Sequence, residues 1–205
     1  MVMLIQIKET PRYFAYCRED GGIGESAMFC HGGFNPTARN SVYPKWLAAV
    51  GFKAIAPKYA DAISLDDDLT LIQSIVQEFS SFTLIMGMSR GGYLAAHAYC
   101  QGGFGMGIFC SAPMYVDRWP FWNTLGRRKP YFMKNVPKLE RPEKALLVTG
   151  DEDEIVPVTQ AFRFRRENPG VKVCVIPGGH GALKKKENWA PIVRFININL
   201  KDRIF

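Results

Sequence analysis

Short apolar runs alternate along the chain with segments of helical periodicity, and this alternation restricts the fold more than any other feature. Strands that alternate with helices are typical of a largely parallel sheet covered by helices on both faces. At 205 residues, the chain is expected to form a single α/β domain, 1–205. The predicted strands lie at positions 13–17, 26–30, 54–56, 82–86, 107–110, 145–149 and 172–176.

Helical patterns fill the spaces between these strands. Positions 44–50 and 64–79 read as helices, and the second is capped by Ser64 and begins with acidic residues. Positions 91–100 are small and apolar on every face, as expected for a helix at the centre of a molecule. The C-terminal segment, with Trp189, Ile192, Val193, Ile196 and Leu200 on its apolar face, reads as an amphipathic closing helix.

The formal charge of +7 is unevenly distributed. Residues 1–113 carry 8 Lys and Arg against 9 Asp and Glu, whereas residues 114–205 carry 18 against 10. The basic half contains no zinc-finger or RNA-binding pattern, so a solvated basic face or an anion-attracting rim is favoured over nucleic-acid binding. No apolar run approaches the roughly 18 residues of a membrane span, and no signal peptide is apparent, so a cytoplasmic location is expected.

Five cysteines, an odd number, lie in apolar settings without C-x-x-C spacing. This pattern predicts neither a disulfide framework nor a zinc site. We therefore expect reduced core cysteines, no bound metal and no cofactor.

Positions 87–91 have the pattern G-x-S-x-G, with Ser89 at its centre. The pattern directly follows a predicted strand and directly precedes a predicted helix, which is the context of a nucleophilic serine. A turn this sharp strains the backbone and requires small neighbours, and it lifts the serine hydroxyl above the sheet. Ser89 is the predicted nucleophile, and a loop serine between helix-packing glycines is the alternative.

A serine hydroxyl is a weak nucleophile and requires a general base, with a third group to orient that base. His97 lies eight residues along the helix after Ser89. At 1.5 Å per residue that is about 12 Å away, so His97 is expected to be an ordinary core or surface histidine. His180 follows the last predicted strand on a glycine-flanked loop, from which a base can reach over the sheet edge. We predict that His180 is the base.

The orienting acid is expected between the nucleophile and the base in chain order. Positions 151–154 supply four consecutive carboxylates directly after the strand at 145–149. Asp153 has the spacing from Gly150 that places it at the apex of this loop, and Asp151 is the next candidate. The remaining acids are interpreted as a solvated charge cluster near a helix N-terminus.

Acyl transfer also requires hydrogen-bond donors for the oxyanion that develops in the transition state. His31-Gly32-Gly33-Phe34 follows the strand at 26–30, and its glycines allow backbone N–H groups to face a ligand. The predicted donors are the N–H of Arg90, the residue after the nucleophile, and the N–H of Gly33 or Phe34. His31 is expected to hold this loop through hydrogen bonds.

In their order and contexts these motifs resemble the α/β-hydrolase fold family, from about residue 26 to the C-terminus. The sequence is most similar to small esterase-like and dienelactone-hydrolase-like members with a serine nucleophile and a minimal cap. The resemblance implies the α/β-hydrolase fold, a mostly parallel sheet with helices on both faces. It also implies a catalytic triad of Ser89, Asp153 and His180 and a two-step acyl transfer to water through an acyl-serine.

Positions 113–142 break the alternation of strands and helices. The stretch is rich in aromatic, proline and basic residues without clear periodicity, which is unusual outside a functional loop. Hydrolases of the resembled family insert their caps at this point, so we interpret the stretch as a short lid over Ser89. Trp119, Phe121 and Trp122 are the candidate pocket residues, and ordinary packing beneath a loop is the alternative.

The leading hypothesis is a serine hydrolase that cleaves a small carboxylic ester. Basic residues of the predicted lid, Arg118 and positions 127–129, would attract an anionic substrate. A thioesterase, peptidase or acyltransferase with the same triad is the alternative among enzymes. A non-catalytic ligand-binding protein of the same fold is the alternative outside them, although the complete set of Ser, Asp and His argues against it. No nucleic-acid or membrane partner is expected.

Overall fold

The structure is a computed structural model that describes residues 5–32, 41–59, 64–116, 131–132 and 134–200. Its strands, in chain order, are β1 (Ile5–Glu9), β2 (Tyr13–Arg18), β3 (Ser26–Cys30), β4 (Lys53–Pro57), β5 (Phe82–Met88), β6 (Phe104–Cys110), β7 (Ala145–Gly150) and β8 (Lys172–Ile176). Together they form one eight-stranded sheet in the order β1-β2-β4-β3-β5-β6-β7-β8. The β1–β2 and β2–β4 pairs are antiparallel, and all other neighbouring pairs are parallel. The predicted mostly parallel sheet is confirmed.

Helices cover both faces of this sheet. The α-helices of the described residues are α1 (Val42–Ala49), α2 (Leu65–Phe79), α3 (Arg90–Gln101), α4 (Val158–Glu167) and α5 (Ala190–Leu200). Side chains of α2, α3 and α4 form one core with Met28 and Cys30 of β3, whereas those of α1 and α5 form a second core with Ala27 and Phe29 of the same strand. Successive strand residues point to opposite faces, so the sheet separates two helical layers. None of these helices combines the length and the apolar character that a membrane crossing requires.

The predicted strands correspond to β2 through β8, with ends that differ by up to three residues. β1 is missing from the sequence prediction because it has little of the pattern of a half-buried strand. Only Ile5 packs against a core, and Ile7 is 43% exposed at the edge of the sheet. Pairing with β2 through the backbone holds β1 in place, and backbone pairing leaves no signature in the side chains.

One of the three acidic residues at the N-terminus of α2 is buried, which the sequence pattern does not predict. Ser64 caps the helix as predicted, since its Oγ accepts a hydrogen bond from the Asp67 N–H at 3.3 Å. Asp66 and Asp67 are exposed, as acidic residues near a helix N-terminus usually are. Asp68 is only 3% exposed, because its position falls on the apolar stripe that faces the core.

The carboxyl ends of four adjacent parallel strands meet at one edge of the sheet. β5, β6, β7 and β8 are followed there by Ser89, by Ser111, by the loop of Asp153 and by the loop of His180. Open α/β sheets bind ligands outside the carboxyl ends of their strands. The fold therefore gathers the predicted site residues at the edge where a site is expected.

Candidate active site

Ser89 lies in a strained turn between β5 and α3. Its backbone has φ 55° and ψ −123°, a left-handed φ that side chains other than glycine rarely adopt. A Cβ on Gly87 would lie 2.0 Å from the Gly91 carbonyl oxygen, and a Cβ on Gly91 would lie 2.0 Å from that of Cys30. Neighbouring carbonyl oxygens therefore leave no room for a side chain at either glycine of the G-x-S-x-G pattern. The left-handed φ of Ser89 and this close backbone packing are the features of the sharp turn that the pattern predicts.

His180 connects Ser89 to the acidic loop. Its Nε2 lies 2.8 Å from the Ser89 Oγ, and its Nδ1 lies 3.0 Å from both Oδ1 and Oδ2 of Asp153. The His180 side chain is 21% exposed, whereas that of Asp153 is fully buried. The structure therefore brings three sequence-predicted residues into one chain of hydrogen bonds, with the hydroxyl at one end and the carboxylate at the other.

The four consecutive carboxylates of the acidic loop have different environments. Asp153 alone is buried, and its Oδ1 accepts hydrogen bonds from the N–H groups of Ile155 at 3.0 Å and Val156 at 2.8 Å. Burial raises the pKa of Asp153, but hydrogen bonds from His180 and Val156 outweigh it and hold the pKa below its ordinary value. Asp151 is exposed, and its Oδ1 instead accepts a hydrogen bond from the Gly178 N–H at 2.7 Å. Of the two candidate acids, Asp153 is the one that contacts His180.

Ser111 is a member of the site that the sequence prediction omits. It directly follows β6, is 5% exposed and has a left-handed φ of 44°. A hydrogen bond from its side chain contributes to the lowered pKa of Asp153. Its position at the carboxyl end of a central parallel strand was the available signal, since functional residues collect there.

The predicted oxyanion donors fall only partly within the described residues. Arg90 is the first residue of α3, where backbone N–H groups lack a helical carbonyl partner. Gly33 and Phe34 lie outside the described residues. Gly32 is described, and a Cβ there would lie 2.8 Å from the Met88 carbonyl oxygen and 3.3 Å from the Ser89 Cβ. Gly32 thus packs directly on the turn of Ser89.

The other two histidines are buried and are not in this chain of hydrogen bonds. His31 Nδ1 lies 3.2 Å from the Gly32 carbonyl oxygen, and its ring packs against Tyr59 with centroids 4.7 Å apart. His97 packs edge-on against Tyr93, with centroids 4.5 Å apart. Burial lowers the pKa of each histidine to about 4, so both are neutral at pH 7. The contacts of His31 agree with the structural role expected for it.

The predicted lid at 113–142 is described only at its two ends, and Trp119, Phe121 and Trp122 lie outside the described residues. The two ends pair with each other. The Val116 N–H donates to the Asn135 Oδ1 at 2.9 Å, and the Val136 N–H donates to the Met114 carbonyl oxygen at 3.0 Å. The lid interpretation itself stays a prediction.

A cleft of about 710 Å³ opens beside His180 and is lined by Asp151, Glu152, Asp153, Glu154, Ile155, Gly179 and His180. His180 is thus reached from solvent on the side of the acidic loop.

Within the described part of the chain, no group of three or more His, Cys, Asp or Glu residues could hold a metal ion. The five cysteines are free thiols. Cys30 and Cys110 are buried in the cores as predicted, Cys100 and Cys174 are partly buried and pack against them, and Cys17 is partly exposed.

Comparisons with known proteins give a likeness in structure only. No family model matches the sequence, and no curated protein does. An α/β hydrolase from the metagenome of sediments of the Mar Chica lagoon, Morocco, superposes with a TM-score of 0.71 at 17% identity, over 98% of this chain and 100% of that one. An esterase of Pyrococcus furiosus gives a TM-score of 0.67 at 15% identity, over 97% of this chain and 91% of that one. The 2-hydroxy-6-oxo-6-phenylhexa-2,4-dienoate hydrolase of Rhodococcus sp. strain RHA1 gives a TM-score of 0.66 at 13% identity, over 95% of this chain and 99% of that one. With these similarities and the sheet order described above, the chain has the α/β-hydrolase fold.

Proposed function

We propose that this protein is a serine hydrolase that cleaves a small carboxylic ester through an acyl-serine intermediate. One observation carries the proposal: His180 contacts the Ser89 hydroxyl with one ring nitrogen and the Asp153 carboxylate with the other. A serine that is hydrogen-bonded to a base, with the base oriented by a third group, is the general arrangement of an activated nucleophile.

In the first step, the Ser89 Oγ attacks the carbonyl carbon of the ester while the His180 Nε2 takes the hydroxyl proton. Asp153 accepts the Nδ1–H of His180, which fixes the tautomer and stabilises the imidazolium that forms. The lowered pKa of Asp153 keeps this carboxylate ionised for that role. The N–H of Arg90, with that of Gly33 or Phe34, stabilises the oxyanion of the tetrahedral intermediate.

The first step ends when His180 returns its proton to the departing alcohol, and an acyl-serine remains. Water then attacks the acyl carbon, with His180 again taking a proton, and the carboxylic acid is released as the Ser89 hydroxyl is restored. The cleft beside His180 opens to solvent and gives the attacking water a route to the imidazole.

The substrate proposal rests on the predicted lid. Its aromatic residues Trp119, Phe121 and Trp122 would form an apolar wall for the acyl group, as ligand sites are mostly apolar with a few placed polar groups. Arg118 and the basic positions 127–129 would attract an anionic ester. The structural neighbours support a hydrolase but include both an esterase and a dienoate hydrolase, so the bond that is cleaved has to be measured.

A fluorophosphonate probe tests the proposal directly, because it reacts with activated serines. We expect stoichiometric labelling of Ser89, located by peptide mass spectrometry, and no labelling of Ser89→Ala. A panel of matched esters, thioesters and amides then distinguishes an esterase from a thioesterase or a peptidase. A folded protein that neither reacts with the probe nor turns over any ester would contradict the proposal and favour a ligand-binding protein.

A further inference from the structure

The side chain of Arg90 is buried although it carries a charge: only 3% of it is exposed. A guanidinium stays protonated in proteins, and its burial is unfavourable unless the charge is paired. This charge lies one residue from Ser89, on the residue whose backbone N–H is a proposed oxyanion donor. The contacts of the Arg90 side chain therefore lie on the same residue as that N–H.

Asp68 of α2 supplies the opposite charge. Its Oδ2 lies 3.4 Å from the Arg90 Nη1, and its own side chain is 4% exposed. The same oxygen accepts a hydrogen bond from the Tyr131 hydroxyl at 2.8 Å. Asp68 is therefore held from two directions, by the first residue of α3 and by a residue of the predicted lid.

Two aromatic rings also lie against the guanidinium. The Arg90 Cζ lies 5.1 Å from the ring centroid of Tyr59 and 4.9 Å from that of Tyr131, within the range of a cation–π contact. Tyr59 also packs against His31, the first residue of the glycine loop after β3. We call Tyr59, Asp68, Arg90 and Tyr131 the Arg90 cluster. It joins the turn of Ser89 to His31, which directly follows β3.

We propose that Asp68 and Tyr131 are positioning residues that hold Arg90 so that its backbone N–H points at the oxyanion. The inference rests on the proposed function, since it assigns these side chains a part in that reaction. Neither residue touches the substrate; both act through Arg90.

The energetics of buried ion pairs indicate that the Asp68–Arg90 pair positions Arg90 rather than simply stabilising the fold. A buried pair adds little stability compared with apolar residues of the same volume, whereas removal of one partner leaves an uncompensated charge. Loss of the Asp68 carboxylate would weaken the hold on the Arg90 guanidinium, and a shift of that side chain would displace the first residue of α3 with its N–H. The hydrogen bond to the oxyanion strengthens in the transition state, so its misalignment should lower kcat and leave KM nearly unchanged.

The test compares Asp68→Asn and Tyr131→Phe with two controls in p-nitrophenyl acetate hydrolysis at 25 °C, with thermal unfolding of every variant. Asp68→Asn removes the charge, and Tyr131→Phe removes only the hydroxyl that holds Asp68. Asp67→Asn makes the same chemical change one residue away, on an exposed side chain. Ile72→Val shortens a fully buried side chain of the same helix outside the Arg90 cluster, and it controls for lost stability.

We expect Asp68→Asn to lower kcat by about tenfold or more with KM changed by less than about threefold, because the loss of a whole oxyanion donor costs 10²–10³. Tyr131→Phe should lower kcat by a smaller factor, and it decides the question if Asp68→Asn does not fold. Ile72→Val should lower the melting temperature but leave kcat unchanged, and Asp67→Asn should change neither.

Three outcomes would overturn the inference. Unchanged kcat in folded Asp68→Asn and Tyr131→Phe, with an active parent, would overturn it and leave the proposed function intact. A raised KM at constant kcat would place these residues in substrate binding instead. A parent protein that is inactive toward esters and unlabelled by fluorophosphonate would overturn both the proposed function and this inference.

Discussion

A methyl group on Gly150 would lie 2.0 Å from the carbonyl oxygen of Gly178. Gly150 ends β7 just before the acidic loop, and Gly178 lies in the loop that carries His180. The Glu152 N–H donates to the same Gly178 oxygen at 3.2 Å, so the two backbones are in direct contact. The 3.0 Å contacts between Asp153 and His180 therefore depend on the absence of a side chain at position 150.

Gly150→Ala is expected to separate the acidic loop from the loop of His180. A backbone carbonyl cannot move aside as a flexible side chain can, so we expect a loss of about 2 kcal/mol in the free energy of unfolding. Ester turnover should fall by more than the loss of folded protein explains. Gly181→Ala is the matched control, because its Cβ would meet only the Lys184 side chain at 3.6 Å. Equal turnover in the two variants would contradict the proposed dependence.

Asp153→Asn and Asp151→Asn make the same change two residues apart and test which carboxylate orients His180. Asp153→Asn should lower kcat by about 10⁴-fold, because an amide beside Nδ1 stabilises the wrong tautomer of the histidine. Asp151→Asn should change kcat by less than about threefold, since its amide oxygen can still accept the Gly178 N–H. Steady-state kinetics on one ester checks both, and the reverse order would move the orienting role to Asp151.

The residues nearest the proposed chemistry were predictable from the sequence because each is defined by its local context. Ser89 stands between a strand and a helix with glycines on both sides, and His180 follows the last strand on a glycine loop. The preference for Asp153 over Asp151 came from loop spacing, and the burial of Asp153 agrees with it. Strand and helix periodicity likewise predicted the sheet with helices on both faces.

The Arg90 cluster could not be predicted, because its members come from four separate parts of the chain. Tyr131 lies 63 residues from Asp68, and no local pattern relates two side chains at that separation. One signal was available: Asp68 lies on the apolar stripe of its helix, where a carboxylate requires a buried partner. The sequence gives no comparable signal for the burial of Arg90, because the side chain of the first residue of a helix can face the core or the solvent.

The lid prediction concerns acyl-chain preference. Trp119→Ala and Trp122→Ala should each change the ratio of kcat/KM between a long and a short acyl ester by about tenfold, because a pocket that fits a chain discriminates by its apolar contacts. Trp46→Ala is the control. Trp46 packs against Trp189 with the two rings tilted and their centroids 3.9 Å apart, in the layer of α1 and α5. A uniform loss of activity that follows the melting temperature in all three variants would contradict the lid.

Acid should destabilise the fold through its two buried histidines. Burial lowers the pKa of His31 and His97 from 6.5 to about 4. Between these values the unfolded chain binds protons that the folded protein does not, so stability falls as the pH is lowered through this range. Each histidine should lower the free energy of unfolding by about 2 kcal/mol when the pH falls from 7 to 5.

Urea unfolding of the parent and of His97→Gln, each at pH 7, 6 and 5, measures this contribution. Glutamine keeps a polar group in the pocket beside Tyr93 but takes up no proton in this range, so the variant should lose only the contribution of His31 on acidification. The difference in unfolding free energy between the two proteins should therefore narrow by about 2 kcal/mol from pH 7 to pH 5. Parallel stability curves would show that His97 titrates alike in the folded and unfolded chains, and that its burial does not hold it neutral.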